Sequence, residues 1–123
     1  MAKVSGKYQR GTIGAIGAVA TAGNVANQTA KTSGAYLLKF EDGFMYAGKG
    51  PLSRMNVSIL RIAGQGYKLL EGGAEHFPTA TAREGLIKEY QLMKETGQLP
   101  RNIDPNSMLL NKIWSHGKKL LGE

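Results

Sequence analysis

The stretch GAYLLKFEDGFMYAGKGP, residues 34–51, constrains the fold more than any other part of the chain. Tyr36, Leu38 and Phe40 alternate with Leu37 and Lys39, and Phe44 and Tyr46 alternate with Met45 and Ala47. A period of two is the pattern of strands that turn one face toward a core. Glu41-Asp42-Gly43 separates the two runs, and Asp-Gly is a preferred two-residue hairpin turn because both residues tolerate positive φ. Gly48, Gly50 and Pro51 stop the second strand. Pro51 suits the first turn of a helix, where its missing N–H has no intrahelical partner to lose.

The helix expected there is LSRMNVSILRIA, residues 52–63. Leu52, Met55, Ile59 and Ile62 recur at spacings of three and four, the stripe of a helix seated on a core. Arg54, Ser58 and Arg61 share another face. Gly64, Gly66, Gly72 and Gly73 predict a loop, and residues 74–77 a short third strand ended by Pro78. Thr79 or Thr81 can cap the next helix, with Glu84 early in it. That helix runs to about Glu95, ends at Gly97 and turns Ala82, Leu86, Tyr90 and Met93 inward. After a Pro- and Asn-containing loop over residues 98–107, residues 108–121 read as a short final helix with a basic tail. The order β-β-α-β-α-α predicts an α+β domain, a small three-stranded antiparallel sheet flanked by helices.

Two regions differ sharply in composition. Residues 11–30 carry no charge and are rich in Gly, Ala and Thr, with Ile13, Ile16, Val19 and Val25 as their large apolar groups. That is too polar and too glycine-rich for a stable membrane span, so no membrane insertion is expected. Residues 1–33 therefore read as a small-residue lead-in or linker, helical or not, and residues 34–123 as the domain proper. The net charge of +7 suggests a polyanionic partner, and its distribution narrows the place. Residues 43–70 hold Lys49, Arg54, Arg61 and Lys68 and no acid. The absence of cysteine excludes a disulfide framework, a thiolate metal site and a cysteine nucleophile. His76 and His116 are too few for a histidine-built zinc site. His76, next to Phe77, reads as a strand-surface or packed residue, and His116 as a substrate contact.

The hairpin can bring Tyr36 and Tyr46 together as cross-strand or diagonal neighbours. Arg54 follows in the first turn of the next helix. A guanidinium beside two phenols, with a carboxylate from another helix, suits phosphodiester cleavage, since Arg offers paired donors to phosphate oxygens.

Gly34-Ala35-Tyr36 and Tyr46-Ala47-Gly48, followed by Lys49 and Arg54, with Glu89 on a later helix and Asn111 beyond it, resemble the GIY-YIG endonucleases over residues 34–119. Alanine stands for isoleucine in both triplets. The sequence also resembles the nuclease tips of bacterial polymorphic toxins of the contact-dependent inhibition, Rhs and related secreted types. The residues that carry this second likeness are Gly48-Lys49-Gly50, Arg54, Ser58, Glu89-Tyr90 and the stretch NKIWSHGK, residues 111–118. The resemblance implies a metal-dependent endonuclease with one divalent ion, Mg²⁺, held by Glu89. Tyr36 would be the phenol near the attacking water, Tyr46 would support it and contact phosphate, and Arg54 would stabilise transition-state charge. Asn111 would brace the metal carboxylate or the backbone near it, and Glu84 is the fallback ligand. Lys49, Arg61, Lys112 and Lys118 would bind the substrate. Ser58 stands where many members keep His or Tyr, and serine cannot serve as imidazole does at neutral pH, so Arg61 or Lys49 takes part of that function or the metal does more. The same resemblance implies a secreted or injected effector acting in the target-cell cytoplasm, with a cognate immunity protein. Its substrate would be DNA in preference to RNA. The alternatives are an RNase toxin on the same fold and a non-catalytic nucleic-acid-binding module.

Overall fold

A computed structural model describes residues 32–123. The expected lead-in over residues 1–33 lies, except for its last two residues, outside the described residues. Strand β1 (Gly34–Phe40) and strand β2 (Met45–Lys49) form the antiparallel hairpin. The loop between them has three residues rather than two. Lys39 pairs with Met45, and the Phe40 N–H donates to the Phe44 carbonyl at 2.8 Å. Glu41–Gly43 closes the loop with two left-handed residues, Asp42 at φ 66° and Gly43 at φ 88°. The apolar pattern requires this length. A two-residue loop would put Phe40 opposite Met45 and oppose the two apolar faces; three residues place Leu38 opposite Tyr46 and Tyr36 opposite Gly48.

Helix α1 (Leu52–Ala63) follows from an extended Pro51, as the proline and the apolar spacing require. Strand β3 (Leu69–Pro78) is far longer than expected and includes Gly72 and Gly73. A Cβ at Gly73 would stand 2.5 Å from the Lys39 carbonyl oxygen. The register between β1 and β3 shifts at Leu38–Phe40, next to that contact. Gly73 therefore admits a close backbone approach, and Gly72 takes φ 70°, within a strand instead of marking a loop. The sheet order is β2-β1-β3, antiparallel throughout. The protein is α+β, a small three-stranded antiparallel sheet with flanking helices.

The two sheet faces bury different sets. Tyr36, Leu38, Phe40 and Ala74 meet Met55, Ile59 and Ile62 of α1. Ala35 and Ala47, on the other face, meet Leu92, Met93 and Leu109. Leu92 and Met93 belong to helix α2 (Ala82–Glu95), whose cap is Thr81 and not Thr79. Thr81 Oγ1 accepts from the Glu84 N–H at 3.1 Å, and Glu84 Oε1 accepts from the Ala80 N–H at 3.0 Å, a reciprocal cap. The inward residues of α2 are Gly85, Tyr90, Leu92 and Met93. Gly85 replaces the expected Leu86 because the helix approaches β1 so closely there that a Cβ would lie 2.7 Å from the Gly34 carbonyl oxygen.

The expected helix over residues 108–121 shrinks to α3 (Gly117–Leu120). The residues before it run beside β2 instead. Met45 and Leu109 form a parallel bridge, through Met45 N–H to Met108 O at 2.9 Å and Leu110 N–H to Met45 O at 2.7 Å. Backbone groups committed to a neighbouring strand cannot close helical turns. The last residues are clamped to α2, where the Tyr90 hydroxyl donates to Glu123 at 2.7 Å and Lys94 reaches the same carboxylate at 3.1 Å. Among the described residues no helix is long and apolar enough to cross a membrane.

Candidate active site

At the end of the sheet where β2 leaves for α1, two glycines decide what can approach. Gly48 lies opposite Tyr36, and a Cβ there would fall 2.3 Å from the Tyr36 ring. The ring therefore lies across bare backbone and carries its hydroxyl to α1, where it meets Ser58 Oγ at 2.6 Å. Tyr36 is only 2% exposed and Ser58 3%. Burial pushes the Tyr36 phenol above its ordinary value, against the lowering effect of the Ser58 bond. At neutral pH it is a neutral hydroxyl, not a phenolate. Ser58, grouped in the sequence with the exposed Arg54 and Arg61, is in fact buried with the stripe and holds this hydroxyl in place.

Gly50, at φ 125°, makes the corner into α1, and a Cβ there would stand 3.1 Å from the Arg54 side chain. Two bonds fix the corner. Its N–H donates to the Gly34 carbonyl at 2.7 Å, and its carbonyl accepts from His76 Nε2 at 2.8 Å. His76 is fully buried, a packed residue rather than a surface one.

Glu89 comes to this corner from α2, on the opposite face of the sheet from α1. Burial pushes its carboxyl above the ordinary range, while the Ser115 hydrogen bond and the charges of Lys49, His116 and Arg54 pull it down. Ser115 Oγ stands 2.7 Å from Glu89 Oε1 and 3.0 Å from the Leu86 carbonyl, so its one proton is shared between them. The Gly117 N–H donates back to Ser115 Oγ at 3.1 Å. Tyr36 feels the charges of Arg54 and Glu89. Lys49 and Arg54 thus stand within electrostatic reach of Glu89, while the Tyr36 hydroxyl is turned to Ser58 on the α1 side.

The other expected residues divide. Tyr46 is opposite Leu38 and so diagonal to Tyr36; Arg61 lies over its ring at 5.3 Å and donates to its hydroxyl at 3.2 Å. Asn111 does not reach Glu89 directly. Its amide pairs with one residue of β2, donating to Ala47 O at 2.7 Å and accepting from Ala47 N–H at 2.9 Å, like one further rung of the ladder between Tyr46 and Gly48. Lys112 is exposed beside the 98–107 loop, with its carbonyl accepting from the Asn102 N–H at 2.9 Å. Lys118 stands near Glu123 rather than Glu89. Glu84 is spent on the helix cap.

Sequence reasoning missed Ser115 as the partner of Glu89 and missed that His116 stands near that carboxylate. The available signal was Gly117. A Cβ there would lie 2.1 Å from the Leu86 carbonyl oxygen, so this glycine marks where the chain end crosses α2.

A divalent ion at this corner would have a single carboxylate to hold it. Among the described residues no three of His, Cys, Asp and Glu gather as an all-protein cage. Magnesium is commonly held by one or two carboxylates, substrate phosphate and water, and Glu89, with one oxygen oriented by Ser115, would be that carboxylate. Comparisons with protein-family models, with curated proteins and with solved structures return no match to this chain.

Proposed function

We propose that the protein is a metal-dependent endonuclease that cleaves phosphodiester bonds of nucleic acid, with DNA the favoured substrate. The observation that carries the reading is that Lys49 and Arg54 stand within electrostatic reach of the desolvated Glu89 carboxyl, at the strand end where Gly48 and Gly50 let Tyr36 and Arg54 pack closely. A partly desolvated carboxylate beside two cations and a fixed hydroxyl is expensive to assemble, and such groups gather at functional sites. Arg54 would pair with phosphate oxygens and offset charge developed in the transition state. Lys49 adds a second positive charge for the same phosphate. Tyr36, buried and held neutral on Ser58, would not abstract a proton; its part would be to fix the end of β1 under the corner. Glu89 would hold a magnesium ion, which when bound polarises phosphate and acidifies water. Lys112 and Lys118, away from this corner, would meet only distant parts of a substrate.

Plasmid DNA and total RNA incubated with the pure protein and Mg²⁺ test the reading. Cleavage is expected, and its loss in Glu89→Gln and Arg54→Ala. If neither nucleic acid is cut, or both variants cut as the parent does, the reading is wrong. The family resemblance extends the proposal to an antibacterial effector countered by an immunity protein. Its check is growth arrest on cytoplasmic expression that Glu89→Gln abolishes.

A further inference from the structure

Beyond the catalytic corner, the structure aligns aromatic rings and cations that lie apart in the sequence. Phe44 and Tyr46 are two residues apart and both pack toward the α1 face of the sheet. Arg61 covers the Tyr46 ring. It sits seven residues, two helical turns or about 10 Å, from Arg54 on the same side of α1. At the hairpin end, Phe44 meets Tyr67 edge-to-face with ring centroids 5.0 Å apart. These rings, with Lys68, Gly66, Glu41 and Asp42, line a pocket of about 230 Å³. Lys49, Arg54, Arg61 and Lys68 are all exposed, and the one ion pair among the described residues, Lys94 with Glu123, involves none of them.

We propose that this row is a binding track for single-stranded nucleic acid, and that the Phe44–Tyr67 pocket takes one unstacked base. The inference rests on the endonuclease reading for the identity of the corner where the track ends. Rings interleaved with cations bind single strands because bases stack on the rings while the cations follow the phosphates. A duplex hides its base faces and cannot fill the pocket. Glu41 and Asp42 in the pocket lining repel phosphate, so what enters is the base, whose amino and imino hydrogens a carboxylate accepts.

The test is binding of labelled strands of about ten nucleotides, DNA and RNA, and of the matching duplex, by full-length Glu89→Gln protein without Mg²⁺. Single strands are expected to bind about tenfold or more tightly than duplex, with the DNA and RNA arms showing which sugar is preferred. Tyr67→Leu is expected to weaken single-strand binding about tenfold. Lys68→Gln, at an exposed position, is expected to lower the slope of log affinity against log salt by about 0.7. Equal affinity for duplex overturns the proposal, as does parental binding by both Tyr67→Leu and Lys68→Gln. Parent protein that binds single strands by way of Tyr67 and Lys68 but leaves them uncut with Mg²⁺ upholds the track and sinks the nuclease reading.

Discussion

Glu89 and Tyr36 are paid for in stability and should show it in opposite ways. Burial raises the Glu89 carboxyl, so its contribution to folding is full below the ordinary carboxylate value and is lost as pH rises through the raised one. Above the raised value the ionised group therefore works against the fold. Glutamine keeps an oxygen for the Ser115 hydroxyl and stays neutral. Glu89→Gln is expected to raise Tm near pH 7 and to leave it nearly unchanged near pH 4, measured by calorimetry at both. A lower Tm near pH 7 would show that Glu89 is a structural anchor and not a functional group held at a cost. Ser58→Ala should act the other way. It leaves the buried Tyr36 hydroxyl without its partner, which costs about 1–3 kcal/mol. Urea unfolding measures this, and the cost should be smaller in a Tyr36→Phe background, where no hydroxyl is left to strand.

Two elements position the site from outside the hairpin: the extended chain before α3, and α3 itself. Asn111→Leu removes both bonds to Ala47 and should destabilise by about 2–4 kcal/mol, since a buried N–H and a buried C=O lose their partners together. Hydrogen exchange at Ala47 reports it directly, and exchange as slow as in the parent would mean that another group closes this edge. Gly117→Ala should drive the chain end off α2, because the new Cβ would meet the Leu86 carbonyl. The amide at position 117, which donates to Ser115 Oγ at 3.1 Å, should then lose protection while that of Leu38 keeps it. The hairpin, α1 and the cap of α2 were legible because local pattern alone dictates them: alternation, a proline stop, a threonine three residues before Glu84. The missed parts depend on distant partners. Gly72-Gly73 looks like a loop until the Lys39 carbonyl beside it is known. Residues 108–116 have enough apolar content for a helix but find a strand edge to bond instead. Tyr36, Arg54 and Glu89 could be nominated from spacing and resemblance. That Tyr36 is buried on Ser58, and that Glu89 has Ser115, came only with the tertiary contacts.

At the scale of the whole molecule, acid should loosen the corner that joins sheet, α1 and site, and His76 is the group through which it acts. His76 pairs across from Tyr36, donates through Nε2 to the Gly50 carbonyl, and keeps Nδ1 buried with no hydrogen-bond partner. A second proton would have to sit on that Nδ1, where nothing accepts it, so burial holds the imidazole below its ordinary value despite the bond to Gly50. The sign follows from proton counting. Between the two values the unfolded chain binds the proton and the folded chain does not, so stability is present above the ordinary histidine value and is lost as pH falls through the folded one. The slope is at most about 1.4 kcal/mol per pH unit for one such group. Glu89 opposes it, since protonating that carboxyl on acidification favours the folded state. The two slopes separate in a Glu89→Gln background, where the fall in urea midpoint from about pH 7 to about pH 5 should steepen. Adding His76→Gln should flatten it again at lower overall stability, because glutamine can reach the Gly50 carbonyl but carries no titrating proton. If the slope between those values is the same with and without His76, acid reaches the fold elsewhere. The corner at Gly50, from which Arg54 is launched toward the site, is then not its weak point.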